Sequence, residues 1–137
     1  MLKNFLVGLM CFTLFISLWA TNSKPLYNAY SNSYEIASKS TSSNAKFIYG
    51  NNLDYILSFH RTGEVVTIYD HTSLEDLLTA FNAKVIFTEQ TVYGTSVYAF
   101  SSKIAYRKEI NRKIINIQIF FNEQKIMIGS PIIYGGY

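Results

Sequence analysis

Asp70, His71 and Ser73 stand within one four-residue stretch, and an acid, a base and a hydroxyl are the side-chain types of a hydrolytic triad. The spacing argues against that chemistry. Neighbours in a chain rarely reach triad geometry, and Ser73 precedes an apolar-periodic run where its hydroxyl serves better as a helix cap. A secreted hydrolase using Asp70, His71 and a carboxylate such as Glu89 is therefore the alternative function. His60 and His71 are the only histidines and Cys11 the only cysteine. The sequence holds no HExxH motif, no His/Cys/Asp cluster at ligand spacing and no glycine-rich phosphate loop. It reads as a non-enzyme, with no catalytic residues, no metal and no cofactor expected.

The second concentration of chemistry is charge. Lys103, Arg107, Lys108, Arg112 and Lys113 share one short stretch with a single acid, Glu109. The plain reading is a solvated hairpin whose cations guard an edge strand. The functional reading is a polyanion or glycan surface made of Lys103, Tyr106, Arg107, Lys108, Arg112 and Lys113. Its ligands would be wall teichoic acid, lipid headgroups or nucleic acid, bound with an affinity that salt weakens. Tyr93, Tyr98 and Tyr106 are of a type that stacks on sugars, although half-buried tyrosines in a sheet are commoner.

The elements that would position these groups begin with the N-terminus. Lys3 supplies a positive charge, Phe5 to Trp19 is apolar apart from Thr13 and Ser17, and Ala20 is small enough for signal peptidase. Residues 1–20 thus read as a secretory signal, with no lipoprotein pattern before Cys11. A cleaved signal is favoured, because a spanning helix needs about 20 apolar residues. Retention as a membrane anchor stays open, since Leu18 is a mediocre residue two before the cut. The expected location is extracellular or envelope-associated, which makes nucleic acid the least fitting partner. The mature chain would hold no cysteine and be held by its core alone.

The 137 residues amount to one domain, with 49% hydrophobic and 16% aromatic residues, too apolar for disorder. A net charge of +3 demands no nucleic acid. Residues 21–45, rich in Ser and Asn, read as a flexible tether, and residues 46–137 as the folded domain. "LDYILSFH", Leu53 to His60, fits strand or helix, with a strand favoured. "RTG" at Arg61 to Gly63 is a turn signal, and Val65 to Tyr69 reads as a strand.

Ser73 to Phe81 is the clearest element. Leu74, Leu77, Leu78 and Phe81 fall on one helical stripe, and Thr72 with Glu75, or Ser73 with Asp76, forms a capping pair. The expected helix covers residues 73–82. Strands follow at Lys84 to Glu89, Thr95 to Phe100, Ala105 to Ile110, Ile114 to Phe121 and Lys125 to Gly129, with turns at Tyr93-Gly94, Asn111-Arg112 and Asn122-Glu123. In the fourth of these, Ile115, Ile117, Ile119 and Phe121 share one face, with Asn116 and Gln118 on the other. The pattern predicts an α+β fold: an antiparallel sheet of about five to seven strands covered by one amphipathic helix, after the N-terminal signal segment.

The order "LEDLLTAFNAKVIFTE", "VYAFSSKI", "INRKIINIQIFF" and "IGSPIIYGGY" resembles the C-terminal part of small exported proteins of Firmicutes grouped as YwmB-like. The resemblance covers Val65 to Tyr137 and departs from the pattern at Ser102, where proline is expected, and at Gly136, where serine is expected. It implies a TATA-box-binding-protein-like fold, export from a Gram-positive bacterium and no established enzymatic activity. A fold label of that kind carries no DNA binding with it. The leading reading is a non-enzymatic envelope domain that binds a wall polymer or an envelope protein. A structural subunit of an envelope or sporulation assembly is a further alternative. In the ending, Pro131 stops the strand before it and Ile132 to Tyr134 pair at an edge or cap the core.

Overall fold

The computed structural model describes residues 2–22, 26, 33–38, 46–49, 61–69 and 72–136. The strands in chain order are β1 (Ser33–Ser38), β2 (Lys46–Tyr49), β3 (Arg61–Ile68), β4 (Ala83–Thr91), β5 (Gly94–Ser101), β6 (Lys108–Ile110), β7 (Lys113–Ile115), β8 (Ile117–Phe121) and β9 (Ile126–Ser130). Seven of them form one antiparallel sheet in the order β2-β1-β3-β9-β8-β5-β4, and β6 and β7 form a separate ribbon. The described helices are α1 (Leu2–Asn22) and α2 (Leu74–Ala80). The α+β class and the antiparallel sheet agree with the sequence. Among the described residues no helix is long and apolar enough to cross a membrane.

Local chemistry accounts for α2 and for the turns. The Ser73 hydroxyl accepts the Asp76 amide at 3.1 Å and donates to its carboxylate at 2.6 Å, so the capping pair is Ser73 with Asp76. Phe81 is the C-cap and Asn82 turns left-handed at φ 48°, which makes the helix slightly shorter than the 73–82 stretch. Between β8 and β9, Asn122 Oδ1 accepts the amides of Gln124 and Lys125 at 2.9 and 3.0 Å. Between β6 and β7, Asn111 and Arg112 both have positive φ, 52° and 61°, the backbone of a type I′ turn whose twist suits a tight hairpin.

The sheet is covered on both faces. On one, Ile36, Val66, Ile68, Val97, Ala99, Ile117, Ile119 and Ile128 pack with Leu77 and Phe81 of the α2 segment and with Leu26 and Ile104. Burial of a side chain such as Leu77 contributes about 1.5–3 kcal/mol. On the other face Val65, Phe120 and Met127 pack against Ile133, because the chain after β9 folds back across the sheet.

Gly63 and Gly129 make that return possible. A Cβ at Gly129 would collide with the backbone of Ile132, and one at Gly63 with the Ser130 carbonyl and the Tyr134 ring. Ile133 N donates to Gln118 Oε1 at 3.0 Å and the Tyr134 hydroxyl to the Thr62 carbonyl at 3.3 Å. The ending is a cap on the core rather than an edge strand.

Four expectations need correction. The sheet begins before Lys46: β1 lies within the stretch read as a tether, paired with β2 and β3, with Ile36 and Ala37 fully buried. "RTG" is no turn but the start of β3, its glycine required by the returning C-terminal segment. Ala105 to Ile110 is extended only from Lys108. Ile114 to Phe121 is two strands in two sheets, parted at Asn116. Leu53 to His60 lies outside the described residues.

Candidate functional site

β5 and β8 are neighbours in the main sheet, Thr95 opposite Phe121 and Ala99 opposite Ile117, yet the chain between them makes a long detour through β6 and β7. Its two stems are clamped together. Asn116 Oδ1 accepts the Ser101 amide at 2.7 Å, and Asn116 Nδ2 donates to the carbonyls of Ser101 and Ile104 at 2.6 and 3.0 Å. The Ser101 hydroxyl donates to the Phe81 carbonyl at 2.6 Å, and the Ser130 hydroxyl to the Asn116 carbonyl at 3.0 Å. All these groups are buried, so the root of the ribbon is fixed to the C-terminal end of α2 and to β9.

The ribbon has an inner and an outer side. Lys108 pairs with Ile115, Ile110 with Lys113 and Glu109 with Ile114, and cross-strand partners share a face. Ile115 is fully buried and Ile114 exposed, so Lys108, Ile110, Lys113 and Ile115 turn toward the main sheet while Glu109 turns away with Ile114. The single acid of the basic stretch stands on the side opposite Lys108 and Lys113.

Three cations rest on rings of the body. Lys113 Nζ lies 5.5 Å from the Phe87 ring centre, Lys108 Nζ 5.7 Å from that of Tyr134, and the Arg107 guanidinium carbon 5.7 Å from that of Phe100. At exposed sites each such contact is worth about 0.5–1 kcal/mol, enough to bias a side chain's position without consuming its charge. Phe87 is itself stacked on Tyr98, ring centres 4.3 Å apart. The Tyr98 hydroxyl donates to Glu89 at 3.0 Å and accepts from Gln118 Nε2 at 3.3 Å.

The six residues proposed from sequence are thus divided. Arg107, Lys108 and Lys113 are brought together with Phe87, Phe100 and Tyr134. Lys103 is exposed on the stem, and Arg112 at the tip. Tyr106 is half-buried and packs against the hydrophobic core. Of the tyrosines considered for sugar stacking, Tyr98 is buried and only Tyr93, 72% exposed in the β4–β5 turn, presents its ring. The aromatic partners escaped sequence reasoning because they come from β4, β5 and the C-terminal segment.

A cavity of about 380 Å³ opens between α2 and the β8–β9 turn, lined by Tyr69, Ser73, Leu77, Ile119 and Phe121 among others. Ser73 is engaged in capping there. Asp70, His71 and His60 lie outside the described residues. Among the described residues no group of three or more His, Cys, Asp and Glu side chains is placed to hold a metal ion.

Burial holds the Glu35 carboxyl above its ordinary value of 4.5, with Lys125 opposing that rise. Burial likewise raises the Tyr134 phenol above 10.0, against a smaller opposing hydrogen bond with Thr62. Both residues belong to the packing of the sheet and its C-terminal cap. No protein-family model, no curated protein and no solved structure matches the chain.

Proposed function

We propose that the chain is a YwmB-like, exported and non-enzymatic domain of the cell envelope, and that the detour between β5 and β8 holds an envelope ligand. The observation that supports this reading is the detour itself. Adjacent antiparallel strands need a connection of about 2–5 residues, whereas here residues 102–116 leave the sheet and carry five cations. A ribbon that adds no strand to the main sheet, and whose stems are nonetheless clamped by buried hydrogen bonds, is built to present its side chains. Export is supported by Lys3 and by the apolar run Phe5 to Trp19, whose side chains are exposed along α1. That run is short of the roughly 30 Å hydrocarbon core, which favours a signal over an anchor.

Expression in a Gram-positive host, with fractionation into cytoplasm, envelope and medium, tests export. Sedimentation of the protein with isolated cell walls at low ionic strength tests binding. Recovery in the cytoplasm alone, or no retention on walls or membranes, would overturn the reading.

A further inference from the structure

We infer that the ligand is a linear phosphodiester polymer of the wall, lying between the inner side of the β6–β7 ribbon and the β4 edge of the sheet and bound by Arg107, Lys108 and Lys113. This rests on the envelope-binding reading and adds to it the chemical class of the ligand and the side of the ribbon that takes it.

Three observations converge. The first is segregation: Lys108 and Lys113 share the inner side, Arg107 rests on the Phe100 ring of the main sheet, and Glu109 is on the outer side. Among the described residues no ion pair neutralises any of these three cations, whose contacts are with the rings of Phe100, Tyr134 and Phe87. A cation on a ring keeps its remaining N–H donors for an incoming anion. The second is spread. Phe87 is on β4, Phe100 on β5 and Tyr134 in the C-terminal segment, so each of the three cations rests on a ring from a different element. Separate single charges suit a chain with one phosphodiester per repeat better than one compact multivalent anion.

The third is recess. A lipid surface is broad and would meet the outermost groups, Arg112 at the tip and Ile114 on the outer side. Of the three cations Lys108 is half-buried on the inner side of the ribbon, while Arg107 and Lys113 are exposed. A single extended polymer strand is thin enough to reach Lys108, and the half-exposed rings of Phe87 and Phe100 flank its path.

Sedimentation of the full chain, recovered from an expressing host, is to be compared on walls carrying their teichoic acid, on the same walls with that polymer removed, and on phosphatidylglycerol vesicles. Retention is expected on the first alone, falling at least tenfold between 50 and 300 mM salt. Lys113→Ala and Lys108→Ala should each weaken it about three- to tenfold, with Lys113→Arg retaining it, and Arg112→Gln at the tip should change it less than twofold. Equal retention on stripped walls would overturn the phosphodiester assignment while leaving envelope binding intact. Binding to vesicles alone would replace the polymer with a membrane. A larger loss from Arg112→Gln than from Lys108→Ala would move the site to the outer side.

Discussion

The amide of Ile133 donates to the side-chain oxygen of Gln118 at 3.0 Å, joining the last segment of the chain to the start of β8. Gln118 is nearly fully buried, and its amide nitrogen is spent on Ser96 and Tyr98, each at 3.3 Å. Its carboxamide is therefore oriented: the oxygen points at the C-terminal segment because the Ile133 N–H can only donate, while the hydroxyls on the other side can accept from the nitrogen. Gln118→Leu would leave the Ile133 amide buried without a partner, at a cost of about 1–3 kcal/mol. Chemical denaturation should show a lower midpoint at unchanged slope.

Removal of Pro131 to Tyr137 should cost more than that single substitution. It uncovers Val65, Phe120 and Met127 and strips Ile133 and Tyr134 from the face they cover. Loss of two such side chains is worth about 3–6 kcal/mol. Gly129→Ala should reproduce much of the loss within the full-length chain, since its Cβ and the Ile132 backbone compete for one space. A melting temperature within a degree or two of wild type for either variant would make the segment a dispensable tail.

Asn116→Ala removes three buried hydrogen bonds to Ser101 and Ile104 at the root of the ribbon. The expected loss is about 2–4 kcal/mol, and it should appear first as local opening. Hydrogen exchange would report it as faster exchange at residues 101–116 with β3 and β9 still protected. Uniform acceleration across the sheet would instead make Asn116 an ordinary core residue.

Arg112→Gly should stabilise the ribbon. Arg112 sits at φ 61°, where an L side chain costs about 1–2 kcal/mol and glycine nothing. The gain, about 1 kcal/mol after the entropy of the more flexible unfolded chain, is measurable as a raised denaturation midpoint. A fall in stability would show that the Arg112 side chain makes a compensating contact.

Two groups make stability pH-dependent with the same sign. Glu35 and Tyr134 both have raised folded values, mainly through burial, so the folded state binds their protons more tightly than the unfolded chain does. The contribution of Glu35 is complete below 4.5 and is lost as pH rises through its higher folded value. That of Tyr134 is complete below 10.0 and is lost above it. Glu35→Gln should therefore be more stable relative to wild type at pH 7 than at pH 4, and Tyr134→Phe should resist alkaline unfolding. Parallel stability curves for wild type and Glu35→Gln between pH 4 and 7 would contradict the first.

Much of this molecule was determined locally and is readable from neighbouring residues. Ser73 to Phe81 carries its own cap and its own apolar stripe, and Asn111-Arg112 and Asn122-Glu123 sit in turns because Asn tolerates positive φ or accepts backbone amides. The β-branched runs made strands wherever they were long enough. The tertiary structure decided everything that depends on what lies across the sheet. Ser33 to Ser38 is polar enough to read as tether, and is a strand because β2 and β3 flank it and the core takes Ile36.

Gly63 resembles a turn glycine by its neighbours and is a strand glycine because Tyr134 and Pro131, remote in sequence, lie on it. Asn116 continues an alternating pattern and ends it, because Ser101 and Ile104 offer its carboxamide a buried set of partners. The basic stretch was visible as charge from composition alone. Which of its cations share a side, which rings they rest on and where Glu109 points depend on strand pairing and on the return of the C-terminus. Those are long-range contacts, and periodicity within a segment contains no information about them.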